Sequence, residues 1–149
     1  MGVFRLYGAA QMKLKVLAYI IRERDGESEI LVFRHRDFPD AGVQVPAGTV
    51  EAGESLEAAL HREIEEESGL NKLVIECEVT VRDFYSPVHR EWHKRHFFRL
   101  LAPENLPETY QHTVSDSEGD RSLVFCYAWW PLEKAARELA GNQGAGLEY

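Results

Sequence analysis

Four glutamates and one arginine, Glu54, Arg62, Glu63, Glu66 and Glu67, stand at spacings that can do chemistry. Residues 55–68 read as the helix that carries most of them. Ser55 is a residue type that caps a helix N-terminus. Gly69 suits the left-handed position after the last turn. The interior is rich in Ala, Leu and Glu, all strong helix formers. At about 100° per residue, Leu56, Ala59, Leu60 and Ile64 form one apolar stripe. Glu63 and Glu67 fall inside that stripe, Glu66 lies on its flank and Glu65 points away. Residues three or four apart on a helix can touch, so Glu63 can meet both Glu66 and Glu67. Such a placement is costly. Two carboxylates about 4 Å apart repel by ~1 kcal/mol in water and by ~4 kcal/mol at an effective dielectric near ~20. Partial burial adds a desolvation penalty. A divalent cation turns the liability into a site, and hard oxygen donors suit Mg²⁺ or Mn²⁺, which join carboxylates to substrate phosphates. The competing reading is a solvated acidic face with Arg62 as an ion-pair partner.

The wider pattern decides between the two. Gly48, Glu54, Arg62, Glu63, Ile64, Glu66, Glu67, Gly69 and Leu70 fill every specified position of a stretch that resembles the Nudix box, with no departure. Nine specified positions over twenty-three residues are a specific signal, unlike a lone glycine motif. The resemblance implies an α/β fold, the Nudix fold, an α/β/α sandwich with a mixed β-sheet. It also implies divalent-metal-dependent hydrolysis of a pyrophosphate bond in a nucleoside diphosphate linked to another moiety, such as ADP-ribose, a dinucleotide polyphosphate or an NTP-like compound.

Metal ions suit that reaction, because they neutralise a highly charged pyrophosphate and acidify a bound water. The expected metal ligands are Glu66 and Glu67, with Glu63 either a third ligand or the general base. Arg62 is expected to orient a box carboxylate, and Glu54 to position that network or join the outer shell. By family analogy the carbonyl of Ala47 is an extra ligand. Some members bring another acid from a later loop, for which Glu118 and Asp120 are candidates against the plainer reading of loop solvation. Arg90 and Arg95 lie in a basic stretch, residues 89–99, that could hold distal phosphates or be one solvated strand face. His93 and His96 face opposite sides of a strand, which argues against zinc. Tyr85 and Pro87 follow the box at a distance where aromatics or prolines mark the dinucleotide-polyphosphate and ADP-ribose subfamilies. Both are present, so the cue does not discriminate, and Tyr85 stands as a substrate-binding candidate.

The chain has 149 residues, one domain's worth, with 44% hydrophobic and 28% charged residues. A net charge of -8 argues against duplex nucleic acid as a main partner, since that binding is largely phosphate neutralisation. A nucleotide-derived small molecule remains compatible, because bound metal supplies local positive charge. Two cysteines, Cys77 and Cys126, sit in strand-like runs and read as buried reduced thiols rather than a disulfide. Neither a signal peptide nor a membrane span is evident, so a cytoplasmic protein with no membrane partner is expected.

In order, residues 1–12 read as a lead-in or an edge strand. Residues 13–22 and 29–34 form strands around an Asp25-Gly26 turn, and residues 43–45 are a short extended piece. After the box, a strand over 71–84 would put Leu73, Ile75, Cys77, Val79 and Val81 on one face. A partner strand over 91–102, a long polar loop over 103–121 and a last strand over 122–130 follow. Pro131 then opens a helix with Leu132, Ala135, Ala136 and Leu139 on its apolar side. Residues 141–149, with three glycines, read as a flexible tail. Helices spaced among strands in this way imply one domain with a mixed sheet covered on both faces. A homodimer is compatible with these features. The alternatives are a non-catalytic nucleotide sensor, which would be expected to lose box glutamates, and an isomerase or a cap hydrolase on the same scaffold.

Overall fold

A computed structural model describes residues 12–115 and 122–147. The elements are β1 (Lys13–Arg24), β2 (Glu27–His35), β3 (Ala47–Thr49), α1 (Leu56–Ser68), β4 (Ile75–Ser86), β5 (Glu91–Leu101), β6 (Tyr110–Ser115), β7 (Ser122–Pro131) and α2 (Leu132–Glu138). Short 3₁₀ segments lie at Pro39–Ala41 and Ala140–Leu147. The strands join in the order β4-β5-β1-β2-β7-β6, with β3 beside β1. β1 and β5 are parallel and the other pairs antiparallel, so the sheet is mixed.

β1 is the axis of the sandwich. Its residues alternate between the two faces and all of its middle is apolar, as a strand covered on both sides requires. Val16, Ala18 and Ile20 pack with Ala59, Leu60 and Ile64 of α1. Leu17, Tyr19 and Ile21 pack on the other face with Ala135 of α2 and with Leu139 just after it. This is the α/β/α arrangement that the residue pattern implied. Among the described residues no helix is long and apolar enough to cross a membrane.

Several expectations need correction. The loop read over 103–121 contains β6, which pairs with β7 from Tyr110↔Tyr127 to Ser115↔Ser122. Tyr110 stacks on Tyr127 at 4.8 Å, so the strand is held by a partner distant in sequence rather than by its own apolar content. The regular strand here is β3, which runs into the start of the box; in the sheet, residues 43–45 contribute only the Phe33↔Gln44 bridge. In β4, register shifts between Ile75 and Cys77 and between Glu78 and Thr80 break the simple alternation. Cys77, on this edge strand, is exposed and Cys126 is half-buried; both are free, but neither is the fully buried thiol expected.

The segment read as a flexible tail is packed over residues 140–147. Tyr19 Oη donates to Gln143 O at 2.5 Å and accepts from Gly146 N at 3.0 Å. Gln143 Oε1 accepts from the buried amide of Val45 at 2.8 Å, and Leu147 enters the α2-side core. The glycines there permit close approach, since a Cβ on Gly146 would stand 2.9 Å from the Tyr19 ring. Residues 1–11, where the lead-in or edge strand was expected, lie outside the described residues. We expect Tyr19→Phe to lower stability by about 1–3 kcal/mol, because two partners of the hydroxyl are left unsatisfied. Chemical denaturation would read the loss, and hydrogen exchange should show the amides of 143–147 losing protection first.

Candidate functional site

The acid-bearing helix is fixed at both ends. Ser55 Oγ accepts from Ala58 N at 3.1 Å, and Gly69, at φ 78°, donates its N–H to Glu65 O at 3.0 Å. The last carbonyls of a helix lack partners within it. Here side chains from β6 and β7 supply them. His112 Nε2 lies 3.0 Å from Glu66 O, Tyr127 Oη donates to Glu67 O at 2.7 Å and Tyr110 Oη donates to Ser68 O at 3.1 Å. A carbonyl can only accept, so the Nε2 of His112 carries the proton in this contact. Three consecutive residues, two of them box glutamates, are thus tied to β6 and β7.

Arg62 gathers the other carboxylates. Its Nε and Nη2 donate to the two oxygens of Glu54 at 2.7 and 2.9 Å, a fork-on-fork pair. Nη2 also donates to Thr49 O at 2.9 Å, Nη1 donates to Glu63 Oε1 at 2.7 Å, and Nη1 stands 3.5 Å from Glu66 Oε2. The Arg62 guanidinium, aided by the Glu51 amide, holds the Glu54 carboxyl down to about 2. Glu63 behaves differently: burial pushes its carboxyl up against the pull of Arg62. Its carboxylate lies directly on Gly48, where an added Cβ would come within 2.0 Å of the Glu63 carboxyl carbon. Glu67 has no cation within ion-pair reach among the described residues. Its Oε1 accepts from Ala47 N at 2.9 Å, and burial pushes the carboxyl up to about 8. Ala47 was singled out for its carbonyl, but the contact formed here is through its amide.

No three His, Cys, Asp or Glu side chains among the described residues converge into a ready metal cage, since Glu63 is turned to Arg62 and Glu66 to solvent. The donor chemistry nonetheless fits a hard divalent cation. Glu63, Glu66 and Glu67 offer carboxylate oxygens from one helix face, and the buried Glu67 carboxylate lacks the counter-charge that burial demands. Glu118 and Asp120 lie outside the described residues.

Beside the acids a pocket of about 300 Å³ opens across the sheet. Ala47 and Gly48 form the wall it shares with the acids, and Lys15, His89, His93, Arg95, Phe84 and Gln143 line the rest. Of the three substrate-binding candidates, Arg95 lines this pocket, and Tyr85 and Arg90 do not. Register pairs Phe84 with His93 and Tyr85 with Trp92, so Phe84 faces the pocket while Tyr85 points to the opposite face, edge-on to Trp92 at 5.5 Å. Arg90 sits exposed in the turn before β5, at φ 54°, and does not line the pocket. Lys15, Phe84 and Gln143 were missed. Lys15 could have been found as a charge at the mouth of an apolar strand, but its neighbours come from distant segments. A larger cavity, about 670 Å³, is lined by Arg22, Arg99 and Trp129 but by none of the α1 carboxylates. Its arginines are already ion-paired with Glu29, Glu108 and Glu76.

Comparison with known proteins places this geometry among relatives. The family model described as NUDIX domain matches residues 12–147. A MutT NUDIX hydrolase from Burkholderia pseudomallei is similar at a TM-score of 0.63 and 24% identity, over 92% of this chain and 96% of that one. An Ap4A hydrolase from C. elegans matches at a TM-score of 0.61 and 22% identity, over 91% and 93% of the two chains. The NUDIX domain of Shewanella oneidensis NrtR, in complex with ADP ribose, matches at a TM-score of 0.61 and 22% identity, over 89% and 81%. No curated protein matches the sequence.

Proposed function

The chain belongs to the Nudix family, and on that premise we propose that it is a pyrophosphohydrolase acting on a nucleoside diphosphate linked to another moiety, with Mg²⁺ or Mn²⁺ held by box glutamates. The observation that carries this reading is the Glu67 carboxylate, buried on the helix face beside Ala47 without a cation to neutralise it. Glu66 and Glu67 are assigned as the main ligands. Bound metal would neutralise the pyrophosphate and acidify an attacking water.

The protein's own groups then divide the remaining work. Arg62 fixes Glu63 and Glu54 in place through the contacts described above. Glu63 is assigned as the general base, because burial raises its affinity for a proton while Arg62 holds its position. Glu54, kept ionised by Arg62, serves as a fixed anchor rather than a proton acceptor. The tyrosine and histidine contacts to the last carbonyls of α1 set the direction of Glu66 and Glu67. The pocket next to Gly48 takes the rest of the substrate. Ap4A, after which one similar hydrolase is named, and ADP ribose, bound in another similar structure, both have the required pyrophosphate linkage.

The test is a panel of ADP-ribose, diadenosine polyphosphates, nucleotide sugars and nucleoside triphosphates with Mg²⁺ or Mn²⁺, read by product identity, with chelator as control. Metal-dependent cleavage at a pyrophosphate bond is expected. Turnover that survives complete chelation would overturn the assignment of the glutamates.

A further inference from the structure

The pocket beside the acids carries a row of cations that the reaction at the glutamates does not use. Lys15 of β1 stands directly opposite Arg95 of β5, and Arg95 stands opposite Arg82 of β4. Opposed residues in a sheet share a face, so three positive side chains line up across three strands. Like charges in that arrangement are destabilising. Several cations elsewhere are paired, Arg22 with Glu29 and Glu108, Arg99 with Glu76, Lys94 with Asp83 and Arg62 with Glu54, and the others without an ion pair among the described residues, such as Arg34, Lys72 and Arg90, do not line the pocket. Among the described residues, Lys15, Arg82 and Arg95 form no ion pair with a carboxylate, in a chain with 25 acidic and 17 basic residues.

Neutral groups hold the two that reach the pocket. Lys15 Nζ donates to the Thr49 hydroxyl at 2.5 Å, and Arg95 Nη1 donates to Gly141 O at 2.6 Å. The Arg95 guanidinium also lies 3.6 Å from the centre of the Phe84 ring, so that ring has one face covered and offers less to a stacking base. Burial, with Lys13 nearby, lowers the affinity of Lys15 for its proton against the pull of Glu91 and Glu63, and burial brings Arg95 down to about 10, the mark of charge drawn out of water. Lys15 is also close enough to Glu63 to feel its charge, so the row begins where the acid cluster ends.

We propose that Lys15 and Arg95 form an anion subsite for a phosphoryl group beyond the scissile pyrophosphate, selecting substrates with three or more phosphates in line over diphosphates joined to a neutral sugar. The proposal rests on the pyrophosphohydrolase reading for its substrate, but the subsite itself needs no metal. A phosphoryl group placed between the two cations would supply the missing counter-charge and relieve the opposed positive pair.

The experiment has two arms. Calorimetric titration of the full chain with inorganic tripolyphosphate, in chelator, should show binding that weakens about tenfold or more in Lys15→Met and in Arg95→Gln. Both variants keep much of the aliphatic bulk, and thermal melts check that they fold. Lys94→Met, which removes a cation paired to Asp83 on the opposite face, should bind tripolyphosphate as the parent does. In the second arm, with Mg²⁺, the ratio of kcat/KM for a nucleoside triphosphate to that for a nucleotide sugar should exceed one and should fall about tenfold in each pocket variant. Absence of metal-free tripolyphosphate binding, or binding indifferent to Lys15 and Arg95, overturns the proposal. Orthophosphate binding as tightly as tripolyphosphate and lost in the same variants overturns it too, since the row would then hold a released phosphate. Intact tripolyphosphate binding with no hydrolysis of any substrate would instead sink the enzymatic reading and leave the subsite standing.

Discussion

Glu67→Gln is expected to reduce metal-dependent hydrolysis on the order of a thousandfold while making the metal-free protein more stable. The two effects have one origin. Burial pushes the Glu67 carboxyl up to about 8, against an ordinary value of 4.5. The folded chain therefore holds that proton more tightly than the unfolded chain does. The acid favours the fold when protonated, and its contribution is lost as pH rises from about 4.5 through about 8. Near neutral pH, folding must either bury a charge or take up a proton, at a cost of about 1.4 kcal/mol per pH unit of displacement. Glutamine keeps the acceptor for the Ala47 amide and removes that charge. Its thermal midpoint without metal should exceed the parent's. Added Mg²⁺ should raise the midpoint of the parent more than the variant's, because the variant keeps Glu66 but has lost the Glu67 carboxylate. A thousandfold loss corresponds to about 4 kcal/mol of barrier, within what a catalytic metal supplies. A Glu67→Gln protein that turns over at the parent's rate would remove Glu67 from the metal site.

Gly48→Ala should leave the fold within about 1 kcal/mol of the parent and cost activity about a hundredfold or more. The Cβ would stand 2.0 Å from the Glu63 carboxyl carbon and 2.2 and 2.3 Å from its oxygens. Something must move, and the mobile partner is the end of the Glu63 side chain rather than backbone. Its departure breaks the 2.7 Å contact from Arg62 and carries the assigned base away from the pocket wall. Gly53→Ala is the matched control. Gly53 has φ 79° and nothing within 4 Å of an added Cβ. Alanine there strains the backbone by roughly 1–2 kcal/mol but displaces no carboxylate. Stability should therefore fall more in Gly53→Ala, and the activity per folded molecule more in Gly48→Ala. The reverse order would mean that the position of Glu63 does not matter to the chemistry.

The acidic helix was legible because its information is local. Ser55, Gly69 and the stripe of Leu56, Ala59, Leu60 and Ile64 act within one or two turns of the chain, and the structure places the helix where they put it. The same holds for the Arg62 network, whose partners Glu54 and Glu63 are eight residues and one residue away. The strands of the sandwich were legible through their apolar runs, and the family through nine box positions.

What the sequence could not determine is what depends on register and on partners far along the chain. Tyr85 and Phe84 are neighbours with equal claims to a ligand, and only the pairing of β4 with β5 sends Phe84 into the pocket and Tyr85 away from it. β6 has too little apolar pattern to announce itself and exists because β7 pairs with it. The glycine-rich segment over 140–147 is ordered by Tyr19, more than a hundred residues earlier. Lys15 and Arg95 become one feature only because a parallel pairing sets β1 against β5. A helix writes its own faces through a fixed periodicity within a single segment. A sheet writes them through hydrogen bonds between segments, and a shift of one residue exchanges the two faces. For that reason the sequence by itself determined the carboxylates of this site, while only the tertiary structure decided which side chains stand beside them.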